Sequence, residues 1–188
     1  MEKIDLRIIK TKKNIYQSLE ELMRESPFEE IKVSDLCEKA LINRSTFYSH
    51  YNDKYELLKE YIDDLKNSLA LELERNKKIK NTKEYYMEMI HLLLNHIESK
   101  KDVYLSIIIH NKNSVLMDIV YDVINRDIMK QIKEANLPNT IPSDILSKFY
   151  LGGVFNVCTQ WLIQKNKYSK KELLNYFSFL IPDNIEKH

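Results

Sequence analysis

Two glycines and four prolines in 188 residues constrain this chain more than any other feature. Both residue types punctuate turns and strands, so a chain almost without them offers few tight corners. Apolar residues recur at three- and four-residue intervals, and there is no sustained alternation of period two. The chain therefore reads as all-α. With 44% hydrophobic and 30% charged residues it has the make-up of an ordinary globular protein, long enough for a small head joined to a larger body.

The periodicity predicts a first helix over 11–25 on Ile15, Leu19, Leu22 and Met23, with residues 5–10 either extending it or forming a loose arm. Residues 26–31 read as a turn that tucks Phe28 and Ile31 under that helix. Ser34 is placed to cap a short second helix over 35–40, and Asn43 a third over 44–51. Asp53 with Glu56 forms a capping box for a long fourth helix over 54–78. Further helices are expected over 83–99, 101–110, 114–135, 143–166 and 169–181, the last opened by a Ser169/Glu172 capping box.

Charge does not announce a partner. The formal net charge is +1, and over residues 1–60 there are 11 Lys and Arg against 12 Asp and Glu, although the first 13 residues lean positive. Cys37 and Cys158 lie far apart and form no CxxC pair, which fits a reducing compartment and gives no metal framework. The first residues lack the apolar run of a secretory signal, and nowhere do 18 apolar residues follow one another. The expectation is a cytoplasmic protein with no membrane partner. No HxxxH pair, GxSxG elbow or phosphate loop occurs, so neither an enzyme nor a cofactor or metal site is expected.

The informative stretch is residues 31–58, IKVSDLCEKALINRSTFYSHYNDKYELL. A short helix, a tight turn and a second short helix is the arrangement by which proteins set a helix into the major groove of DNA. Arg44, Ser45 and Thr46 open the third helix, and Tyr48, Ser49 and His50 continue one outward face. Phe47 and Tyr51, four apart, can pack inward against Leu36. On these residues, from the opening at Thr11 through V-S-D-L and N-R-S-T-F-Y-S-H-Y to D-K-Y-E-L-L, the first 60 or so residues resemble the TetR family of bacterial transcription regulators. The resemblance implies a three-helix helix-turn-helix head over 1–60, joined by a long helix to a helical effector-binding and dimerisation body over 61–188. It implies base or phosphate contacts for Arg44, Ser45, Thr46, Tyr48 and His50, and phosphate contacts for Ser34 and Lys54. Double-stranded DNA carrying a palindromic operator is the implied partner. Family members often carry glycine in the turn where this chain has Leu41, so a turn of slightly different shape is expected.

Two C-terminal helices carry more apolar surface than one stripe needs. Phe149, Gly153, Val157 and Trp161 in one, and Leu173, Phe177 and Leu180 in the other, are the expected seam of a homodimer. The alternative is that both helices are central in a monomeric core. An aromatic and methionine set including Tyr85, Tyr86, Met89, Tyr104 and Tyr150 either lines a small-molecule effector pocket or is plain core. The expected activity is that of a ligand-responsive repressor, the alternative a regulator that activates through a protein partner.

Overall fold

The computed structural model describes residues 6–75, 82–111, 115–134, 141–164 and 167–181. Residues 1–5, the expected helix ends at 76–78, 135 and 165–166, and the loop around Pro138 lie outside the described residues. Among the described residues the regular structure is helical throughout: α1 (Leu6–Glu25), a 3-10 turn (Phe28–Glu30), α2 (Val33–Lys39), α3 (Arg44–Tyr48), α4 (Lys54–Arg75), α5 (Thr82–Ser99), α6 (Lys101–His110), α7 (Val115–Glu134), α8 (Ser143–Ile163) and α9 (Lys170–Leu180). The chain is all-α, and α1 starts at Leu6, so residues 6–10 extend the first helix.

Two compact units divide the chain, one of Met1–Ile62 and Asp102–Val120, the other of Asp63–Lys101 and Tyr121–His188. The division differs from a simple cut near residue 60: α6 and the start of α7 belong with the N-terminal helices.

In the first unit, Ile15, Leu19 and Met23 recur every four residues and turn one face of α1 inward, where α2 packs. Leu36 and Cys37 of α2, Phe47 of α3, Tyr51, and Leu57 and Leu58 of α4 complete this core. Ser18 is buried on the same face, and its hydroxyl donates to the Asn14 carbonyl at 2.8 Å. The 3-10 turn follows Pro27 and buries Phe28 completely, with Tyr55 edge-on at 5.4 Å.

That turn is held by polar groups as well. Asn111 is completely buried; its Oδ1 accepts the Phe28 N–H at 2.7 Å, and its amide donates to the carbonyls of Ile107 at 2.9 Å and Met23 at 3.4 Å. Glu29 accepts the Val115 N–H at 2.7 Å, which sets a carboxylate at the positive end of α7.

In the second unit Leu69 and Leu73 of α4 meet Leu92 of α5, with the partly buried Tyr85 and Met89 packed against them. α5 packs on α9. The Ser169/Glu172 box forms as expected: Glu172 accepts the Ser169 N–H at 2.9 Å and donates its own N–H to Ser169 Oγ at 3.2 Å. Hydrogen bonds from the Ser169 side chain and backbone hold the Glu172 carboxyl below its ordinary range. In α8 the buried residues are Ser147, Leu151, Cys158, Trp161 and Leu162. Burial pushes the Cys158 thiol up to about 12.

Replacing Asn111 by alanine leaves the Phe28 N–H buried without its acceptor, at a cost of about 1–3 kcal/mol. Urea denaturation of Asn111→Ala is expected to show a midpoint lowered accordingly; an unchanged midpoint would mean that water replaces the side chain.

Candidate nucleic-acid interface

α3 is a single turn and a half whose residues divide by side. Phe47 is completely buried and Tyr51 nearly so, their ring centroids 5.6 Å apart. Arg44 and Ser45 are exposed, Thr46 is half-buried, and Tyr48 is 56% exposed with its ring set edge-on to Phe47 at 5.6 Å. The helix ends at Tyr48, earlier than the expected 51; the Ser49 hydroxyl donates to the Thr46 carbonyl at 2.7 Å, and the chain leaves the helix there. His50 is therefore not on α3, and its half-buried ring lies 6.1 Å from that of Tyr51. Asn43 stands at the N-cap with extended backbone but without a side-chain cap bond.

The electrostatics of this face are local. Residues 40–52 contain no Asp or Glu, and they contain Arg44 and His50. The Arg44 guanidinium makes no hydrogen bond or ion pair among the described residues. Several acids of the head are engaged elsewhere. Glu21 and Glu25 pair with Lys39 at 3.5 and 3.2 Å. Glu60 pairs with Lys12. Glu20 accepts the Tyr61 hydroxyl at 2.6 Å. Burial raises the Cys37 thiol pKa against the lowering pull of the Arg44 charge.

Three positions depart from the sequence pattern. Ser34 does not cap α2, because the helix starts at Val33. Lys32 holds the N-cap position, and its N–H is accepted by the Asp35 carboxylate at 2.9 Å. The Ser34 hydroxyl sits in the first turn and donates to Asp35 Oδ1 at 3.2 Å. Lys32, which the pattern does not single out, is an exposed cation two residues before Ser34. Lys54 is not a free cation: its ammonium donates to the carbonyls of Phe28 at 2.9 Å, Glu29 at 2.7 Å and Ile31 at 2.8 Å. Burial lowers its pKa, opposed by the charges of Glu29 and Asp35.

The turn between α2 and α3 keeps the shape that glycine would give it. Leu41 has φ 56°. The Leu41 N–H bonds to the Glu38 carbonyl at 3.2 Å and the Ile42 N–H to the Cys37 carbonyl at 3.0 Å, the paired closure of a Schellman motif. A leucine thus occupies the left-handed position, its side chain 92% exposed. The expectation of an altered turn is corrected: the hydrogen bonds of the α2 end and the α2–α3 packing hold the backbone, and the residue bears the strain.

The expected dimer seam separates into two sets. Trp161 is 5% exposed, its indole N–H donating to the Tyr168 carbonyl at 2.7 Å, and Leu173 and Phe177 are buried as well, so these three belong to the core of their own unit. Phe149 at 70%, Val157 and Leu180 are exposed, and Gly153 is exposed with nothing of the chain within 4 Å of where a Cβ would stand. Each helix has two apolar faces; periodicity reveals both but not which one the chain itself covers.

Residues 15–61 match the sequence family described as bacterial regulatory proteins, tetR family, and residues 84–183 match a transcriptional regulator C-terminal region. A curated relative, the HTH-type dhaKLM operon transcriptional activator DhaS of Lactococcus lactis, is 29% identical over 105 residues, covering 55% of this chain and 51% of its own. The chain thus matches about half the length of that relative. A TetR transcriptional regulator from Streptococcus agalactiae is 29% identical in structural alignment over 94% of this chain and 96% of its own, with a TM-score of 0.64. Lin0861 of Listeria innocua shares the fold at a TM-score of 0.68 and 21% identity, over 96% of this chain and 93% of its own.

Leucine in the left-handed region costs about 1–2 kcal/mol, and glycine there returns about 0.5–1 kcal/mol of that to the unfolded chain. Leu41→Gly is therefore expected to stabilise the protein by roughly 0.5–1 kcal/mol, read as a higher urea midpoint at constant slope. A lower midpoint would show that the leucine side chain contributes more than its backbone costs.

Proposed function

The chain belongs to the TetR family of bacterial transcription regulators, and from that premise we propose that it binds a palindromic operator as a homodimer and represses transcription until a small-molecule effector binds. The observation that carries the DNA reading is the two-sided character of α3: Phe47 anchors it while Arg44, Ser45 and Tyr48 are presented on a segment without acids. A major groove admits such a helix. There Arg44 has the donor fork for a guanine edge or a phosphate, and Ser45, Thr46 and Tyr48 supply hydroxyls. Ser34 at the start of α2, and His50 just beyond α3, are proposed as flanking backbone contacts. Residues 1–60 carry this role and residues 61–188 effector binding and dimerisation, with DNA as the cytoplasmic partner.

The exposed faces of α8 and α9 support the homodimer. Ile145, Phe149, Gly153 and Val157, four apart, run along α8, and Tyr176, Phe179 and Leu180 stand outward on α9. A row of exposed apolar residues beside bare glycine backbone fits a second copy packed closely against it. Twofold symmetry would then present two α3 helices to successive major grooves, about 34 Å apart. Effector binding that favours a different separation of the heads lowers operator affinity by linkage. A second reading, activation, is favoured by one observation: the matching curated relative is named as an operon activator.

Selection of duplexes from a random pool is expected to return a palindrome. Transcription from a promoter carrying it should fall when the protein is added; a rise would establish the second reading. Arg44→Ala is expected to weaken binding to the selected duplex by about 1–3 kcal/mol, and wild-type affinity in that variant would remove Arg44 from the interface. For the seam, Phe149→Glu is expected to sediment as a folded monomer, and a folded dimer would place the interface elsewhere.

A further inference from the structure

Gly152 and Gly153 are the only glycines in the chain, and both stand in the middle of α8. Among the described residues nothing in their own chain explains them. Neither has a positive φ, so the backbone there suits any residue. A Cβ at either position would meet no atom within 4 Å, so no neighbouring element needs the space. In a helix interior glycine is the least favourable residue after proline, because it has the most backbone freedom to lose. The helix is thus weakened at two adjacent positions without any return inside the chain, and the bare backbone faces outward, with Gly153 exposed and Gly152 half-buried.

The flanks of this bare stretch are apolar and uncharged. Ile145 and Phe149 lie two turns and one turn before Gly153, Val157 one turn after it, and they are 53%, 70% and 36% exposed. Residues 149–164 contain no Asp, Glu, Lys or Arg. Just before them, Asp144 and Lys148 pair with each other at 3.8 Å. A twofold contact sets each residue near the axis close to its own copy, so a charge there would meet a like charge. A face without charge is compatible with itself. A face meant for an acidic or basic partner would carry the complementary sign.

From these observations we infer that α8 crosses α8 of a second copy at Gly153, with the two helices antiparallel. Phe149 of each copy then lies over the bare backbone of the other and reaches the partner's Val157. The inference rests on the homodimer reading and names the residue at its twofold axis. Helices ordinarily pack roughly 8–10 Å apart, a distance set by the side chains at the contact. Two bare backbones allow a closer approach. Size decides the direction: antiparallel helices crossing at residue 153 set Phe149 against the smaller Val157. Parallel helices would set Phe149 against its own copy and hold the glycines apart, leaving a void between them.

Single cysteines along α8 read this register, because a disulfide forms only where two Cα atoms come within about 7 Å. Cys37 and Cys158 are buried, and the wild-type protein is expected to give no covalent dimer. Under mild oxidation Gly153→Cys is expected to link to its own copy at least about tenfold faster than Phe149→Cys or Val157→Cys alone. Four residues rise about 6 Å along a helix, so each of those two would lie roughly 12 Å from its own copy. Phe149→Cys co-expressed with Val157→Cys is expected to link across, chain to chain. Self-linking of Phe149→Cys without that cross-link would give parallel helices and overturn the inference. So would a dimer in which neither Gly153→Cys nor the co-expressed pair links.

Gly153→Leu adds bulk where its own chain leaves room. It is expected to keep wild-type helicity by circular dichroism while the dimer dissociation constant rises about a hundredfold or more in sedimentation equilibrium. Wild-type dimer affinity in that variant would overturn the inference. Should a substitution at Gly153 not fold, the co-expressed pair retains both glycines and decides alone. Wild-type protein that is monomeric at every concentration would defeat the homodimer reading and this inference with it. A wild-type dimer whose cysteines link in another pattern would defeat the inference alone.

Discussion

A helix of five residues does not hold itself together in water, because nucleation costs more than so few hydrogen bonds return. α3 is such a helix. It exists because Phe47 is completely buried and Tyr51 closes over the same core, while α2 packs beside it. One aromatic side chain therefore fixes both the presence of the helix and which of its residues face out. With Phe47 inward, residues 45 and 48 are turned to other sides of the helix, and Arg44, on the Phe47 side but in the first turn, is exposed at the free end of the helix. The outward set Arg44, Ser45 and Tyr48 is a consequence of where the core ends.

The same economy governs the turn before α2. Phe28 of the 3-10 turn is buried, and its backbone groups need protein partners. Asn111 supplies the acceptor for the Phe28 N–H and Lys54 the donor for three carbonyls, so residues distant in sequence converge on one short segment. Hydrophobic packing alone would leave this turn to slide; directional bonds from Asn111, just beyond α6, and from Lys54 of α4 hold it. The division of the chain into units reflects this, with Asp102–Val120 joining the N-terminal helices.

How much of this was legible in the sequence depended on whether the signal was local. Helix positions, the Ser169/Glu172 cap, the Asp53 cap and the inward set Leu36, Phe47 and Tyr51 all follow from spacing within one element, and they stand in the structure. Ser34 misled because Asp35 serves the residue before Val33 equally well, which moves the helix start. Trp161, Leu173 and Phe177 misled because a helix with two apolar faces does not say which one its own chain covers. Lys54 and Asn111 lay beyond reach: their partners are carbonyls and amides far along the chain, and backbone groups leave no mark in a side-chain pattern. Leu41 was half legible. The position was recognisable as one that suits glycine, but the hydrogen bonds around it, not the residue in it, decide the backbone shape.

Charge placement gives the DNA-binding reading its particular character. A head with 11 bases and 12 acids over its first 60 residues has little long-range attraction for a polyanion. Many of its carboxylates are drawn into pairs and caps, at Lys39, Lys12, Tyr61 and the starts of α2 and α4. What remains outward on α3 is an unpaired guanidinium and a set of hydroxyls. Non-specific binding depends on the count of phosphates neutralised, so such a head binds arbitrary DNA weakly. On the proposed reading, discrimination rests on the few directional contacts assigned to α3, and their value depends on the precision with which the core holds that helix. The strained Leu41 turn, the Phe47 anchor and the converging bonds on the 3-10 turn all act on that one quantity. In a strongly basic head a tilt of the helix would be masked by general attraction, whereas here it would appear directly in the affinity.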